Sequence, residues 1–109
     1  MLTNGLYKAS FRTPNDFGDG VIYIQDGYAY GGDSNFYYTA QYSVQNGKMA
    51  ANFEFKKHTD GNTSVFGVDS RTLEVSGSYN ANAATLTAGE HFEVVLTLLT
   101  PSKSLSPVG

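Results

Sequence analysis

The sequence contains no cysteine and no tryptophan, and only 16% of its 109 residues are charged. Without cysteine the chain forms no disulfide, no thiolate metal site and no cysteine nucleophile. Lysine and arginine together number 7 against 10 aspartate and glutamate residues, which leaves a formal net charge of -3. An acidic balance of this kind argues against binding nucleic acid through its phosphates. These absences exclude thiol chemistry and disfavour a nucleic-acid partner.

Long apolar runs are also missing. The longest nearly apolar stretch, residues 92–99, is interrupted by Glu93 and Thr97. It is far shorter than the roughly 20 residues that a membrane-spanning helix requires. The first seven residues have neither the basic start nor the apolar centre of a secretory signal. We therefore expect a cytoplasmic protein with no membrane partner.

Aromatic residues are abundant, with eight tyrosines and seven phenylalanines, and hydrophobic residues make up 40% of the chain. This is the reverse of the composition that keeps a chain disordered. A chain of 109 residues is long enough for one hydrophobic core and too short for two. We predict a single domain over residues 1–100. Residues 101–109 contain proline, serine and glycine with almost no apolar bulk, which predicts a flexible C-terminal tail.

Alternation of apolar and polar residues predicts β-strands. The period of two is clear in residues 7–12, 51–57 and 71–79, and no stretch predicts a helix of three turns. Asp26-Gly27 and Asn46-Gly47 are dipeptides that favour tight hairpin turns between such strands. The sequence is therefore typical of an all-β protein.

Two further glycine motifs invite a functional interpretation. Gly18-Asp19-Gly20 is similar to a phosphate-binding loop, but no helix follows it, so we interpret it as a turn that enters a strand. Gly31-Gly32-Asp33 is typical of a bulge, a bend or a close approach of two backbones, and the alternative is that Asp33 caps or orients a functional loop. Both motifs are interpreted as architectural.

The short connections between strands determine the expected topology. Seven or eight strands joined by tight turns leave no chain for the crossovers that parallel pairing requires. We predict an antiparallel up-and-down barrel of about eight strands, because closure removes exposed strand edges. Twelve of the fifteen aromatic residues lie at or before Phe55, which predicts an interior largely filled by side chains.

No arrangement of residues in the sequence indicates catalysis. The nucleophile motif Gly-x-Ser-x-Gly is absent, and His58 and His91 lack the spacing of a zinc site. Glu54, Glu74 and Glu93 alternate opposite apolar positions, so they are expected to face solvent rather than each other. We predict a protein that is not an enzyme, with no catalytic residue, no metal site and no cofactor.

A cluster of tyrosines between the Asp26-Gly27 and Asn46-Gly47 turns is the most suggestive surface feature. Tyrosine is favoured at protein interfaces because it combines a large apolar ring with a hydroxyl group. Strand alternation must turn part of any such cluster inward, so the alternative is that these rings line the interior or a ligand mouth. The candidate protein-binding surface consists of Tyr28, Tyr30, Tyr37, Tyr38 and Tyr42, together with Gln45 and Asn46 of the next turn.

Several motifs resemble the GrlR-type negative regulators of bacterial type III secretion. In the first half they are Asn4-Gly5-Leu6-Tyr7, Gly18-Asp19-Gly20-Val21, Asp26-Gly27 and Gly31-Gly32-Asp33 with Tyr38 soon after. In the second half they are Ser64-Val65-Phe66-Gly67, Leu73-Glu74-Val75-Ser76-Gly77 and residues 92–99. The resemblance covers most of residues 4–99 and consists of turn glycines and strand aromatics.

The resemblance implies a small lipocalin-like barrel, often dimeric, that acts through protein–protein contact. The founding regulator of that family sequesters a transcriptional activator, and it carries an acidic motif in the loop that corresponds here to the neutral turn Val44-Gln45-Asn46-Gly47. We therefore expect a non-enzymatic regulator whose partner is another protein, with a transcriptional activator and a second copy of the chain as the implied partners. The alternative function is a carrier that holds a small apolar ligand inside the barrel.

Overall fold

The computed structural model describes residues 2–59 and 70–102, which form a closed antiparallel barrel of eight strands in chain order. The strands are β1 (Gly5–Thr13), β2 (Asp16–Gln25), β3 (Tyr28–Gly32), β4 (Phe36–Gln45), β5 (Lys48–Lys57), β6 (Ser70–Tyr79), β7 (Ala83–Ala88) and β8 (Phe92–Pro101). Pairing of β1 with β8 closes the sheet. The predicted all-β fold, antiparallel topology and strand number are confirmed. Within the described ranges, no helix is long and apolar enough to cross a membrane.

Two hairpin turns have the backbone conformation that their sequences predict. Asp26 and Gly27 have φ angles of 50° and 93°, and Asn46 and Gly47 have φ angles of 52° and 78°. Positive φ at both central residues matches the right-handed twist of the flanking strands. The turns therefore determine the register of β2 with β3 and of β4 with β5.

The interpretation of Gly18-Asp19-Gly20 as a turn is wrong, because all three residues lie within β2. The chain reverses earlier, at Pro14-Asn15, between β1 and β2. A Cβ atom on Gly20 would lie 2.6 Å from the hydroxyl oxygen of Tyr38. Glycine is used here because an aromatic ring from β4 occupies the space of a side chain, and not because the backbone turns.

The interpretation of Gly31 as a point of close backbone approach is confirmed. A Cβ atom on Gly31 would overlap the backbone oxygen of Val21 and lie 2.6 Å from the Cα of Ile22. Any larger residue would push β3 away from β2. Gly31 therefore allows the sharp curvature that a small closed barrel requires at this strand pair.

The barrel interior is filled by side chains. Near the β3–β4 loop, five rings of the described residues pack with centroid separations of 5.0 to 6.5 Å. These are Phe11, Tyr38, Phe53, Phe55 and Phe92. Toward the opposite end the interior combines the Tyr7 ring with aliphatic side chains, and Leu2 is buried there ahead of β1. Among the described residues, no buried polar side-chain atom lacks a hydrogen-bond partner. The prediction of a largely filled interior is confirmed for the part of the chain described.

The last strand passes the predicted domain boundary. Pro101, which we assigned to the tail, is the final residue of β8. The backbone N–H of Ser102 donates to the carbonyl oxygen of Asn4 at 2.8 Å, and the hydroxyl oxygens of Tyr23 and Ser102 lie 2.6 Å apart. The rest of the predicted tail, residues 103–109, lies outside the described residues, as does the Ser64-Val65-Phe66-Gly67 motif.

Candidate protein-binding surface

Three of the five candidate tyrosines lie on the outer face of β3 and β4. Tyr28, Tyr30 and Tyr37 are 49%, 60% and 41% exposed. Tyr28 and Tyr30 alternate with buried Ala29, since successive side chains of a strand point to opposite faces. The hydroxyl groups of these three tyrosines make no hydrogen bond to another described residue. Their rings and hydroxyls are therefore presented to solvent.

The other two candidate tyrosines point inward, which corrects the prediction. Tyr38 is only 2% exposed, and Tyr42 is half-buried and packs against the core. Both inward orientations follow from the alternation of side chains along β4, whose even-numbered residues face the interior. The alternative that we left open, in which part of the cluster lines the interior, applies to these two residues. Neither belongs to the exposed surface.

Tyr38 is held in the interior by Asp33, and its hydroxyl donates to the Asp33 carboxylate. Burial raises the pKa of the Tyr38 phenol above its ordinary value, and the hydrogen bond to Asp33 and the charges of Asp33 and Asp19 raise that pKa further. Burial raises the pKa of the Tyr7 phenol on β1, and the Tyr42 phenol on β4 raises that pKa further. The inward-facing hydroxyls of Tyr7 and Tyr38 are thus part of the packed structure.

Asp33 also organises the loop that connects β3 to β4. Its Oδ1 accepts hydrogen bonds from the backbone N–H groups of Asn35 at 2.9 Å and Phe36 at 2.8 Å. Its carbonyl oxygen lies 3.0 Å from Nε2 of His58, which must donate because a carbonyl only accepts. Asp33 therefore caps the loop, which is the alternative that the sequence analysis left open. The contact with His58, 25 residues later, had no local signal in the sequence.

Val21 belongs to the exposed surface, although the sequence did not identify it. It is 45% exposed, and it lies in one row with Gly32 and Tyr37 across β2, β3 and β4. The signal was the run Val21-Ile22-Tyr23-Ile24, which is apolar on both faces and so must expose one of them. We call the surface formed by Val21, Tyr28, Tyr30 and Tyr37 the tyrosine face.

Gln45 and Asn46 are exposed but lie apart from the tyrosine face. Tyr28 is paired with Gln41 on β4, and Gln45 is four residues farther along the same strand. That separation corresponds to roughly 13 Å. The structure therefore does not join the β4–β5 turn to the exposed tyrosines.

The three glutamates considered for catalysis lie on the outer face, as predicted. Glu93 pairs with Arg12 at 2.6 Å, and Glu54 lies 3.5 Å from Lys56. Glu74 has no ion pair with another described residue. Across residues 2–59 and 70–102, no three histidine, aspartate or glutamate side chains are grouped in a way that would hold a metal ion.

A comparison with models of known protein families finds no match for this chain, and a comparison with curated proteins also finds none. The structure by itself defines the class of protein: a small, filled, eight-stranded β-barrel with an exposed aromatic face. The resemblance to GrlR-type regulators rests on the sequence motifs described above.

Proposed function

We propose that this protein is a cytoplasmic, non-enzymatic regulator that acts by binding another protein through the tyrosine face. The observation that carries the proposal is the exposure of three tyrosine rings and one valine side chain on adjacent strands. Contiguous exposed apolar surface on a folded domain marks an interaction site, and tyrosine is among the residues that contribute most to binding energy.

The rigidity of the tyrosine face supports the same proposal. Its strands are paired on both sides within a closed sheet, and Asp33 fixes the loop that begins β4. A surface that is already ordered loses little conformational freedom when a partner binds. The tyrosine face is therefore preorganised for recognition.

The resemblance to GrlR-type regulators suggests the kind of partner, a transcriptional activator. The turn at residues 44–47 carries no charge in this chain, so we assign the contact to the tyrosine face instead of that turn. The homodimer implied by the resemblance stays a prediction. Function as a carrier of an apolar ligand is disfavoured, because the five-ring cluster occupies the interior that the ligand would require.

Affinity capture from the source cells tests the proposal. The baits are the wild-type protein and the double variant Tyr30→Ala/Tyr37→Ala, and the retained proteins are identified by mass spectrometry. We expect a partner that the wild type retains and the double variant loses. With the purified partner, titration calorimetry should show binding weakened by at least about tenfold, since tyrosine hot spots contribute about 2 kcal/mol or more.

Leu99→Ala is the matched control, because Leu99 is a large exposed apolar residue on β8, outside the tyrosine face. It should retain the partner. If all three baits retain the same proteins with the same affinity, the tyrosine face has no role in binding and the proposal is wrong.

A further inference from the structure

A groove crosses the outer surface beside the tyrosine face. It has a volume of about 330 Å³ and lies over β3, β4, β5 and β6. The side chains that line it are Tyr28, Tyr30, Thr39, Gln41, Asn52, Glu54 and Thr72. A second groove, of about 650 Å³, shares Gln41 and Asn52 with the first and continues toward β7. We call the two together the outer groove.

The strand register explains the chemistry of the first groove. One row of paired residues runs Tyr30, Thr39, Glu54 and Thr72, and the next runs Tyr28, Gln41, Asn52 and Glu74. Neighbouring strands are about 4.8 Å apart. Each row therefore has an aromatic ring at one end and polar groups within about 10 to 15 Å of that ring. Two tyrosine rings thus stand beside a series of amide, hydroxyl and carboxylate groups.

Several polar side chains of the outer groove have no partner among the described residues. Gln41, Asn52 and Glu74 make no side-chain hydrogen bond or ion pair with other described residues, and neither do the hydroxyls of Tyr28 and Tyr30. These five side chains therefore present hydrogen-bond donors and acceptors that no other described residue uses.

We propose that the outer groove binds a neutral oligosaccharide. Tyr28 and Tyr30 present rings against which the apolar faces of sugar rings stack, and Gln41 and Asn52 hydrogen-bond the sugar hydroxyls. An amide both donates and accepts, which matches a hydroxyl group. Aromatic walls with a few placed polar groups are typical of small-molecule sites.

At the tyrosine end of the groove the charges favour a neutral ligand over a cation, whereas Glu74, which has no ion pair with another described residue, lies three strands away from Tyr28. Glu54 is the carboxylate nearest the tyrosine end in the register, and it lies 3.5 Å from the ammonium group of Lys56. That lysine offsets the negative charge which would attract a cation to the two rings. The proposal goes beyond protein binding, because it assigns a second class of ligand to a groove that shares Tyr28 and Tyr30 with the tyrosine face and adds Gln41 and Asn52, which that face does not include.

An NMR titration of the full-length, ¹⁵N-labelled protein tests the proposal. The probes are the hexasaccharides of β-1,4-glucose, β-1,4-N-acetylglucosamine and α-1,4-glucose, with choline as a cationic comparison. We expect at least one hexasaccharide to give saturable amide shifts at residues 28–30, 39–41 and 52–54, and none on β8. Absence of shifts with all three sugars, or shifts at these residues with choline alone, would overturn the proposal.

Variants then distinguish stacking from hydrogen bonding. Tyr28→Ala should abolish measurable sugar binding, whereas Tyr28→Phe, which keeps the ring, should retain it. Gln41→Ala and Asn52→Ala should each weaken binding roughly two- to tenfold, the loss expected for one hydrogen bond. Unchanged affinity in Tyr28→Ala would contradict the site.

Tyr37→Ala separates this proposal from protein binding, because Tyr37 belongs to the tyrosine face and does not line the groove. It should leave sugar binding unchanged. Conversely, Gln41→Ala/Asn52→Ala lies outside the tyrosine face and should leave capture of a protein partner unchanged. The thermal unfolding midpoint of each variant confirms that the barrel is intact.

Discussion

Tyr37 and Tyr38 are adjacent in the sequence but have opposite environments. Tyr37 is exposed on the outer face, whereas Tyr38 is buried among phenylalanine rings and bonded to Asp33. Alternation along β4 could be predicted from the sequence, but which of the two tyrosines faces inward could not. That choice depends on the space left by Gly20 on β2, which lies beside the Tyr38 ring.

Substitution of each tyrosine by phenylalanine, which removes only the hydroxyl group, tests the difference between the two environments. Tyr38→Phe removes a hydrogen bond to a carboxylate, so we expect the free energy of unfolding at neutral pH to fall by about 1 to 3 kcal/mol. Tyr37→Phe is the matched control, and it should change that free energy by less than about 0.5 kcal/mol. Urea denaturation measures both. Equal effects of the two substitutions would contradict the assignment of Tyr38 to the interior.

The same bond predicts how stability depends on pH. Burial and Asp33 raise the pKa of Tyr38 above the ordinary value of 10.0. The folded protein therefore keeps the proton on Tyr38 at a pH where the unfolded chain releases it, and stability decreases as pH rises. The contribution of Tyr38 is fully present below pH 10.0 and is lost as pH rises above that value.

Urea denaturation at a series of pH values from about 8 to about 11 tests this dependence. Tyr7, whose pKa is also raised by burial, contributes to the slope of the wild type. Tyr38→Phe should therefore reduce the slope without removing it. An unchanged slope in Tyr38→Phe would show that this phenol does not titrate differently in the folded state.

At the scale of elements, the sequence predicted the two hairpin turns better than it predicted the structural roles of the other glycines. Asp26-Gly27 and Asn46-Gly47 require positive φ, which is a local property of these residues. Gly18-Asp19-Gly20 has similar composition but continues a strand, in which Gly20 makes room for the Tyr38 ring of β4. A single sequence does not distinguish a glycine that turns the backbone from one that makes space.

Two glycine substitutions test these separate roles. Gly47→Ala places a side chain in open space but at a φ angle of 78°, so we expect a loss of about 1 to 2 kcal/mol in the free energy of unfolding. Gly31→Ala has an allowed φ angle but overlaps the backbone of β2, so it should cost more than about 3 kcal/mol or prevent folding. Thermal denaturation followed by circular dichroism compares them. A smaller loss for Gly31→Ala would contradict the close packing of β2 on β3.

At the scale of the molecule, closure of the sheet produces the filled interior. Phe11 of β1 contacts rings from β4, β5 and β8, with centroid separations of 5.0 Å to Tyr38, 5.2 Å to Phe55 and 6.2 Å to Phe92. These strands come together only because β1 pairs with β8. The core therefore forms only in the closed barrel, and no single hairpin contains it.

Truncation of Phe11 measures how much that core contributes. Phe11→Ala should reduce the free energy of unfolding by about 3 to 5 kcal/mol, because it removes apolar contacts and leaves a cavity. Phe17→Ala is the matched control, since Phe17 is 76% exposed on β2, and its effect should be within about 0.5 kcal/mol. Guanidinium denaturation compares the two.

A fluorescent fatty acid tests the same interior as a binding site. It should not bind the wild-type barrel, in which rings fill the space near the β3–β4 loop. Saturable binding to the wild type, displaced by an apolar competitor, would instead support the carrier function.

The sequence by itself determined the all-β class, the antiparallel order of strands and the hairpin turns, because alternation and turn chemistry act over a few neighbouring residues. It also determined that no thiol chemistry occurs. Only the tertiary structure decided which tyrosines are exposed, which glycines make space, and where Gln41 and Asn52 meet Tyr28. Those features depend on the register and closure of strands that are distant in the chain, and residue types alone do not specify which face of a strand becomes the interior.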